Sequence, residues 1–284
     1  MDGRVLIADE MGLGKTLQAI AISLTYASEW PLLVICPTSM ALTWCEELER
    51  WCPDLLPGQI NLVRSHHNTD LQRARVTVLT YGIVTNGREK ELLMSKISAA
   101  GFGVVIADEA HYLKSRDALR TKLLLPVLST ARRCILLTGT PALSRPVELF
   151  TLLHALRPNV EGWHTYRDFV NRYCDARQRF AGRGRVSLDV RGCSNSEELY
   201  ELLVRHVMVR RLKADVLTQL PEKRRQRVLL SLDAKASRAL GAMEQQSQQC
   251  PTASEFERNR LLSGMCVELG SAKAAAAAEY TLEL

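Results

Sequence analysis

Five short apolar runs constrain this chain more than any other feature. Val5-Leu6-Ile7-Ala8, Leu32-Leu33-Val34-Ile35-Cys36, Val76-Thr77-Val78-Leu79, Val104-Val105-Ile106-Ala107 and Cys134-Ile135-Leu136-Leu137 are rich in β-branched and aliphatic residues. Each is bounded by turn or functional residues, the pattern of buried strands in a parallel sheet. Between them, 15–28, 40–51, 88–99, 117–128 and 146–156 have helical spacing. The order strand, helix, strand, helix predicts an α/β fold, a doubly wound parallel sheet flanked by helices, up to about residue 158.

Beyond residue 158 the pattern changes. Trp163, Tyr166, Arg172 and Tyr173 mark an aromatic and basic stretch, and Gly182-Arg183-Gly184-Arg185 reads as a loop. Helices are expected near 196–207 and 233–249. The run Ala274–Ala278 predicts another helix, because alanine is the best helix former. Three regions result: 1–158 as an α/β lobe, 159–230 as a basic insertion, and 231–284 as a helical protrusion.

At 284 residues the chain suits one large α/β domain with an appendage, or two modest domains. An apolar share of 46% with 24% charged residues excludes disordered and fibrous classes. No run approaches the ~20 apolar residues of a membrane span, and no signal peptide opens the sequence, so a soluble protein without a membrane partner is expected. The eight cysteines form no CxxC pair and no zinc-ligand spacing, which fits reduced thiols in a nuclear or cytosolic compartment. The net charge of +6 is uneven. Residues 1–158 hold 17 Lys/Arg against 15 Asp/Glu, whereas 167–227 hold 15 against 8. A local excess of this kind suits a polyanion such as nucleic acid, and equally a solvated basic surface.

Three motifs carry the chemistry. Gly12-Leu13-Gly14-Lys15-Thr16 follows one apolar run and opens a helical stretch, the setting of a phosphate loop. Its glycines turn backbone N–H groups toward phosphate oxygens at a helix N-terminus. Lys15 would pair with the β- and γ-phosphates, and the Thr16 hydroxyl would ligate Mg²⁺. The position of the first glycine in the strict pattern holds Asp9. Asp108-Glu109-Ala110-His111 follows another run, at a strand's carboxyl end, where open α/β sheets bind ligands. Asp108 would hold Mg²⁺ and Glu109 would position and deprotonate the attacking water. Thr138-Gly139-Thr140-Pro141 comes directly after a third run. Its hydroxyls could bond the acidic motif and sense the γ-phosphate, although Gly-Thr-Pro is also ordinary turn chemistry.

Together, Asp9-Glu10-Met11-Gly12-Leu13-Gly14-Lys15-Thr16, Asp108-Glu109-Ala110-His111 and Thr138-Gly139-Thr140-Pro141 resemble the first RecA-like lobe of a superfamily-two helicase or translocase. The resemblance is to the Swi/Snf family, in which the Asp-Glu-Met lead into the loop is typical. Cys36-Pro37-Thr38-Ser39 with Trp44 resembles that family's DNA-backbone segment, and Arg210-Arg211-Leu212-Lys213, Asp215 and Leu220-Pro221 resemble the segment that ends its first lobe. Glu29-Trp30-Pro31-Leu32-Leu33, Lys114-Ser115-Arg116, Thr140-Pro141-Ala142-Leu143-Ser144-Arg145-Pro146, Arg172-Tyr173-Cys174-Asp175-Ala176 and Val216-Leu217-Thr218-Gln219-Leu220-Pro221 are similar to the annealing helicases that remodel stalled replication forks.

The resemblance implies ATP and Mg²⁺ as cofactors, with Asp9 through Thr16 around the nucleotide. It implies Glu109, Lys15 and Asp108 as catalytic residues, and His111, Thr138, Gly139 and Thr140 as the coupling set. It further implies branched or fork DNA as partner, a nuclear location and a replication-clamp partner through regions outside this chain. Thr38, Ser39 and the Thr80-Tyr81 turn would face phosphates of one strand, which position without reading sequence. Arg183 and Arg185 would add affinity, while Arg210 and Arg211 are better read as bracing the lobe. The family's second RecA lobe with its arginine fingers, and the upstream adenine-contacting glutamine motif, are absent from these residues. This chain alone is therefore expected to hydrolyse ATP very slowly. A nucleotide- and DNA-binding module without turnover is the alternative reading. A DEAH-type RNA helicase fits less well, because its third motif is usually Ser-Ala-Thr.

Overall fold

The computed structural model describes residues 1–65, 71, 73–86, 89–141, 145–180, 186–219, 227–228, 237–238, 241–242, 244–245 and 255–282. Two compact units divide the chain, Met1–Gln219 and Leu220–Leu284. The second contains a long helix, Glu255–Leu282, that includes the alanine run. The helix expected at 233–249 falls mostly outside the described residues, as does the loop of Gly182 to Arg185.

Strands β1 (Arg4–Ile7), β2 (Leu32–Cys36), β3 (Ile60–Leu62), β4 (Val76–Thr80), β5 (Val104–Ala107), β6 (Arg133–Leu137) and a last one, Met208–Val209, form the sheet of the first unit. The last is β9, because β7 (Arg177–Phe180) and β8 (Val186–Asp189) make a separate antiparallel hairpin. The seven-stranded sheet runs β3-β4-β2-β5-β6-β1-β9. Every pairing in it is parallel.

Why these segments fold so is visible in their alternation. Successive strand residues face opposite sides of a sheet, and here both sides are apolar. Leu6, Leu33, Ile35, Leu79, Val105, Cys134 and Leu136 enter one buried cluster. Val5, Ile7, Leu32, Val34, Val78, Ile106, Ile135 and Leu137 enter the other. A strand buried on both faces shows no polar alternation, which is how its sequence appears as a continuous apolar run.

Helices α1 (Lys15–Thr25) and α2 (Ala41–Trp51) cover the second cluster with Ala19, Ile20, Trp44 and Leu48. Helices α3 (Tyr81–Thr85), α4 (Lys90–Ala100), α5 (Leu119–Thr130), α6 (Phe150–Leu156), α7 (Tyr166–Tyr173) and α8 (Ser196–His206) cover the first. Trp163, Phe169, Tyr173 and Leu203 thus share one buried cluster with Leu6 and Leu33.

Arg4 fastens this layer. Its guanidinium donates to the carbonyls of Leu128 and Leu156 at 2.8 Å, and also to those of Ala131 and Ala155. These oxygens lie at the ends of α5 and α6, where the helix leaves carbonyls without donors and presents its negative pole.

The five strands and the helices at 15–25, 41–51, 90–100, 119–130 and 196–206 coincide closely with the expected segments. Toward 146–156, a short 3₁₀ turn at Pro146–Glu148 precedes a helix that starts only at Phe150. The sequence did not announce β3, β7, β8 or β9.

Candidate functional site

The strand order determines which motifs meet. At the carboxyl edge of the sheet, residues following β4, β2, β5, β6 and β1 emerge side by side in that spatial order. They are Tyr81, Pro37-Thr38, Asp108, Thr138 and Ala8-Asp9. Register keeps them level, with Ile7 beside Leu137, Ala107 beside Leu136 and Ile35 beside Ala107. The amide of Thr138 donates to Ile7 O at 3.0 Å, and that of Asp108 to Ile35 O at 2.8 Å. The three motifs of the sequence are therefore neighbours on β1, β6 and β5.

The loop between β1 and α1 needs left-handed backbone at two points, Gly12 with φ 86° and Gly14 with φ 72°. A side chain is strained there, whereas glycine takes the conformation freely. Among the described residues, the N–H groups of Gly12, Gly14, Lys15 and Thr16 meet no protein acceptor. A Cβ at Gly14 would meet nothing within 4 Å. Free donors around an open, glycine-walled turn at a helix N-terminus fit a phosphate group. Lys15 Nζ now lies on the carbonyls of Asp9 and Glu10, at 3.0 and 3.4 Å.

The Thr138 turn leans on the same loop. A Cβ at Gly139 would come within 2.7 Å of Met11 Cγ and 3.5 Å of Lys15 Nζ. Thr138 is buried and its Oγ1 accepts the amide of Thr140 at 3.3 Å. Met11 and Thr140 are exposed, and Leu13 and Thr16 are half-buried.

Asp108 is buried with both carboxylate oxygens engaged. Oδ1 accepts the Glu109 amide and Oδ2 accepts Trp44 Nε1, each at 2.9 Å. Each oxygen keeps a further lone pair, and with the Thr16 hydroxyl this makes a hard oxygen donor set of the kind Mg²⁺ prefers. Glu109 sits in left-handed backbone at φ 48°. Such backbone is costly for a residue with a side chain and is concentrated at functional sites. Its Oε2 lies 2.9 Å from His111 Nδ1, without the alignment of a hydrogen bond.

Asp9, expected near the nucleotide, points elsewhere with its side chain. It is fully buried and accepts from Arg211 Nη2 at 2.6 Å, Arg211 Nε at 3.1 Å and Gln18 Nε2 at 3.0 Å. Burial raises its pKa, but the hydrogen bonds from Arg211 and Gln18 outweigh it and hold the carboxyl below its ordinary 3.8. The backbone of the same segment continues β9 along the loop. Ala8 N donates to Val209 O at 2.7 Å, Glu10 N to Arg211 O at 3.0 Å, and Lys213 N to Glu10 Oε2 at 2.8 Å. Arg210 donates to Ala8 O at 3.2 Å. Bracing of the lobe by Arg210 and Arg211 is thus what the structure shows. Lys213 hangs over the loop, since a Cβ at Gly12 would lie 3.2 Å from its Nζ.

Replacing Arg211 with alanine is expected to destabilise the protein by about 2–3 kcal/mol. That is less than the roughly 3–5 kcal/mol for breaking a wholly buried pair, because Arg211 is 50% exposed. The folded pKa of Asp9 is depressed, so its contribution is present above pH 3.8 and is lost as pH falls through the native value. Denaturant midpoints measured across pH should therefore fall less steeply on acidification in the alanine variant than in the wild type.

Thr38 and Ser39 are exposed on a turn before α2. A Cβ at Gly82 would lie 3.4 Å from Thr38 Oγ1, so this turn and the Thr80 turn adjoin. Between them opens a groove of about 510 Å³, lined by Thr38, Leu42, Arg64, Thr80, Gly82 and Asn86. Thr80 Oγ1 accepts the Ile83 amide at 3.4 Å and caps α3.

Tyr81 corrects the sequence expectation. It does not face outward; it is buried, stacks on Tyr112 at 4.9 Å and donates its hydroxyl to Asp108 O at 2.8 Å. A side chain enclosed in this way has no surface to offer a phosphate. Arg183 and Arg185 lie outside the described residues. Much of the basic excess downstream is paired, with Arg172 on Glu198 at 2.8 Å, Arg177 on Asp175 at 2.7 Å, and Arg179 and Arg191 both on Asp189. Sequence reasoning missed the Trp44 contact with Asp108, the Lys213 position and Arg64. Only Trp44 carried a signal, in its place after Thr38-Ser39.

The model of the SNF2-related domain matches residues 3–267. The mouse protein named "DNA annealing helicase and endonuclease ZRANB3" is 46% identical over 98% of this chain and 26% of its own length. Its human counterpart is 44% identical over the same shares. The frog Xenopus laevis protein named "SWI/SNF-related matrix-associated actin-dependent regulator of chromatin subfamily A-like protein 1" is 42% identical over 85% of this chain and 24% of its own. The chain thus spans about a quarter of the length of these relatives. Among solved structures, the Sulfolobus solfataricus SWI2/SNF2 ATPase core in complex with dsDNA superposes with a TM-score of 0.59 at 22% identity. That match covers 93% of this chain and 53% of the other, and it carries the fold alone.

Proposed function

Because this chain belongs to the SNF2-related domain family, we propose that it is the ATP-binding and hydrolysing lobe of a DNA-dependent translocase that rewinds branched DNA at stalled replication forks. The observation that carries the reading is the meeting of three motifs on β1, β5 and β6 at one sheet edge. Two relatives named "DNA annealing helicase and endonuclease ZRANB3" support the rewinding of DNA in this reading.

In this reading the free amides of Gly12, Gly14, Lys15 and Thr16 hold phosphate oxygens, and Lys15 leaves its carbonyl contacts to pair with them. Thr16 and Asp108 would hold Mg²⁺, which would supply positive charge to offset that of the phosphates. Glu109 orients the attacking water and takes its proton, with His111 beside it. Gly139 lies against the loop at Met11, and Thr138 and Thr140 on the same turn sense the γ-phosphate. Thr38, Ser39 and the Thr80 turn hold one DNA strand by its phosphates, and Arg183 and Arg185 add to that affinity. A nuclear location belongs to the same reading.

The test is a salt titration of binding to fork and linear duplex DNA. Fork binding should exceed linear binding, and reversal of Arg183 and Arg185 to Glu should flatten the salt slope by roughly two units, about 0.9 for each lost phosphate contact. Equal affinity for the two DNAs sinks the fork assignment; no affinity for either sinks the DNA reading.

A further inference from the structure

We propose that Trp44 and Tyr81 are positioning residues that couple occupancy of the Thr38–Thr80 groove to the placement of Asp108. This rests on the DNA-dependent reading above and adds to it how the groove and the nucleotide site communicate. Asp108 is gripped twice by buried side chains carried on the two segments that line one groove. Trp44, in the first turn of α2 just beyond Thr38 and Ser39, donates its indole N–H to Oδ2 at 2.9 Å. Tyr81, the residue after Thr80, donates its hydroxyl to the Asp108 carbonyl at 2.8 Å.

Neither grip is a loose surface contact. Trp44 is fully buried and Tyr81 nearly so. Indole nitrogen donates and never accepts, so Asp108 takes the single hydrogen bond that this ring offers. The Tyr81 hydroxyl likewise spends its one proton on the Asp108 carbonyl, and its ring is enclosed. The ring also stacks at 5° on Tyr112, immediately after His111, which adds a second tie to the acidic motif.

The geometry makes the two turns and Asp108 move together. Thr38 and Gly82 are in near contact, so a phosphate seated between the turns spreads or closes them. Tyr81 belongs to the second turn and Trp44 follows the first in α2, both inside a close-packed interior that passes displacement on rather than absorbing it. Their donors end on the carboxylate proposed to hold Mg²⁺ and on the carbonyl just before Glu109. Loading the groove thereby resets the group that places Mg²⁺ and the backbone that aims Glu109.

The experiment measures coupling instead of turnover. The dissociation constant of a fluorescent, non-hydrolysable ATP analogue with Mg²⁺ is determined with and without saturating duplex DNA, for wild type, Tyr81→Phe and Trp44→Phe. Their ratio is the coupling factor, typically about 5–150 for linked sites. In both variants it should fall to less than about a third of the wild-type factor. Tyr81→Phe removes one oxygen and keeps the stack, and a thermal melt verifies that it folds. A packing role alone would shift both constants together and leave the factor unchanged, which overturns the inference while the DNA-dependent reading stands. Wild type that binds both ligands without coupling overturns it too. Wild type that binds neither overturns the functional reading itself.

Discussion

Glutamine at position 109 should lower DNA-stimulated phosphate release by about 10²–10⁴-fold, the usual contribution of a positioned general base. Affinity for Mg·ATP should stay within a few fold. The substitution keeps shape and hydrogen-bonding capacity and removes only the ability to accept a proton at that position. Glu109 suits this sharp a separation. It is about one-third exposed, and its carboxylate lies 2.9 Å from His111. It sits in left-handed backbone, with φ 48°, just beyond Asp108 and the strand that ends at Ala107. A fall in affinity as large as the fall in rate would mean that Glu109 binds nucleotide instead of activating water.

Alanine at position 15 is expected to act on the opposite quantity. In the proposed reading Lys15 supplies a charged donor to phosphate oxygens, and hydrogen bonds to charged groups contribute about 1.5–3 kcal/mol. Affinity for the nucleotide should weaken roughly 10- to 150-fold, with hydrolysis below detection at ordinary ATP concentrations. The structure adds that Lys15 Nζ is held by two backbone carbonyls, of Asp9 and Glu10, that must be exchanged for phosphate. Stability should change little, because those carbonyls remain able to accept other donors. Fluorescence titration with labelled nucleotide and a thermal melt on the same sample distinguish loss of binding from loss of fold.

What the sequence disclosed and withheld follows from how each feature is encoded. Strands such as Leu32–Cys36 are buried on both faces, so five apolar residues in a row suffice to identify them. The segments Gly12–Thr16 and Asp108–His111 are each contiguous in sequence, so their place after a strand was legible. Met208–Val209 was not, because a two-residue strand has no period and exists only by its bonds to β1. Arg211 could be read as a brace from its family segment, but its partner Asp9 lies 202 residues away. Asp9 itself seemed a missing glycine and then a lead-in; its carboxylate is a buried anchor. Tyr81 was misread because an aromatic residue in a turn is equally at home outside or inside. Only its partners, Asp108 and Tyr112, decide the direction.

The ladder between β1 and β9 has a consequence for biosynthesis. Leu6, Ala8 and Glu10 are made early and find their acceptors only in Val207, Val209 and Arg211. At about 5–20 residues per second of synthesis, β1 waits roughly 10–40 s on the ribosome for its outer neighbour. Throughout that interval one side of β1 is an unpaired edge, the surface through which strands join the wrong chain. The buried Asp9 carboxylate likewise waits for its guanidinium. Ribosome-bound chains that end before Val207 should therefore resist proteolysis less, and recruit chaperones more, than chains that have passed Lys213.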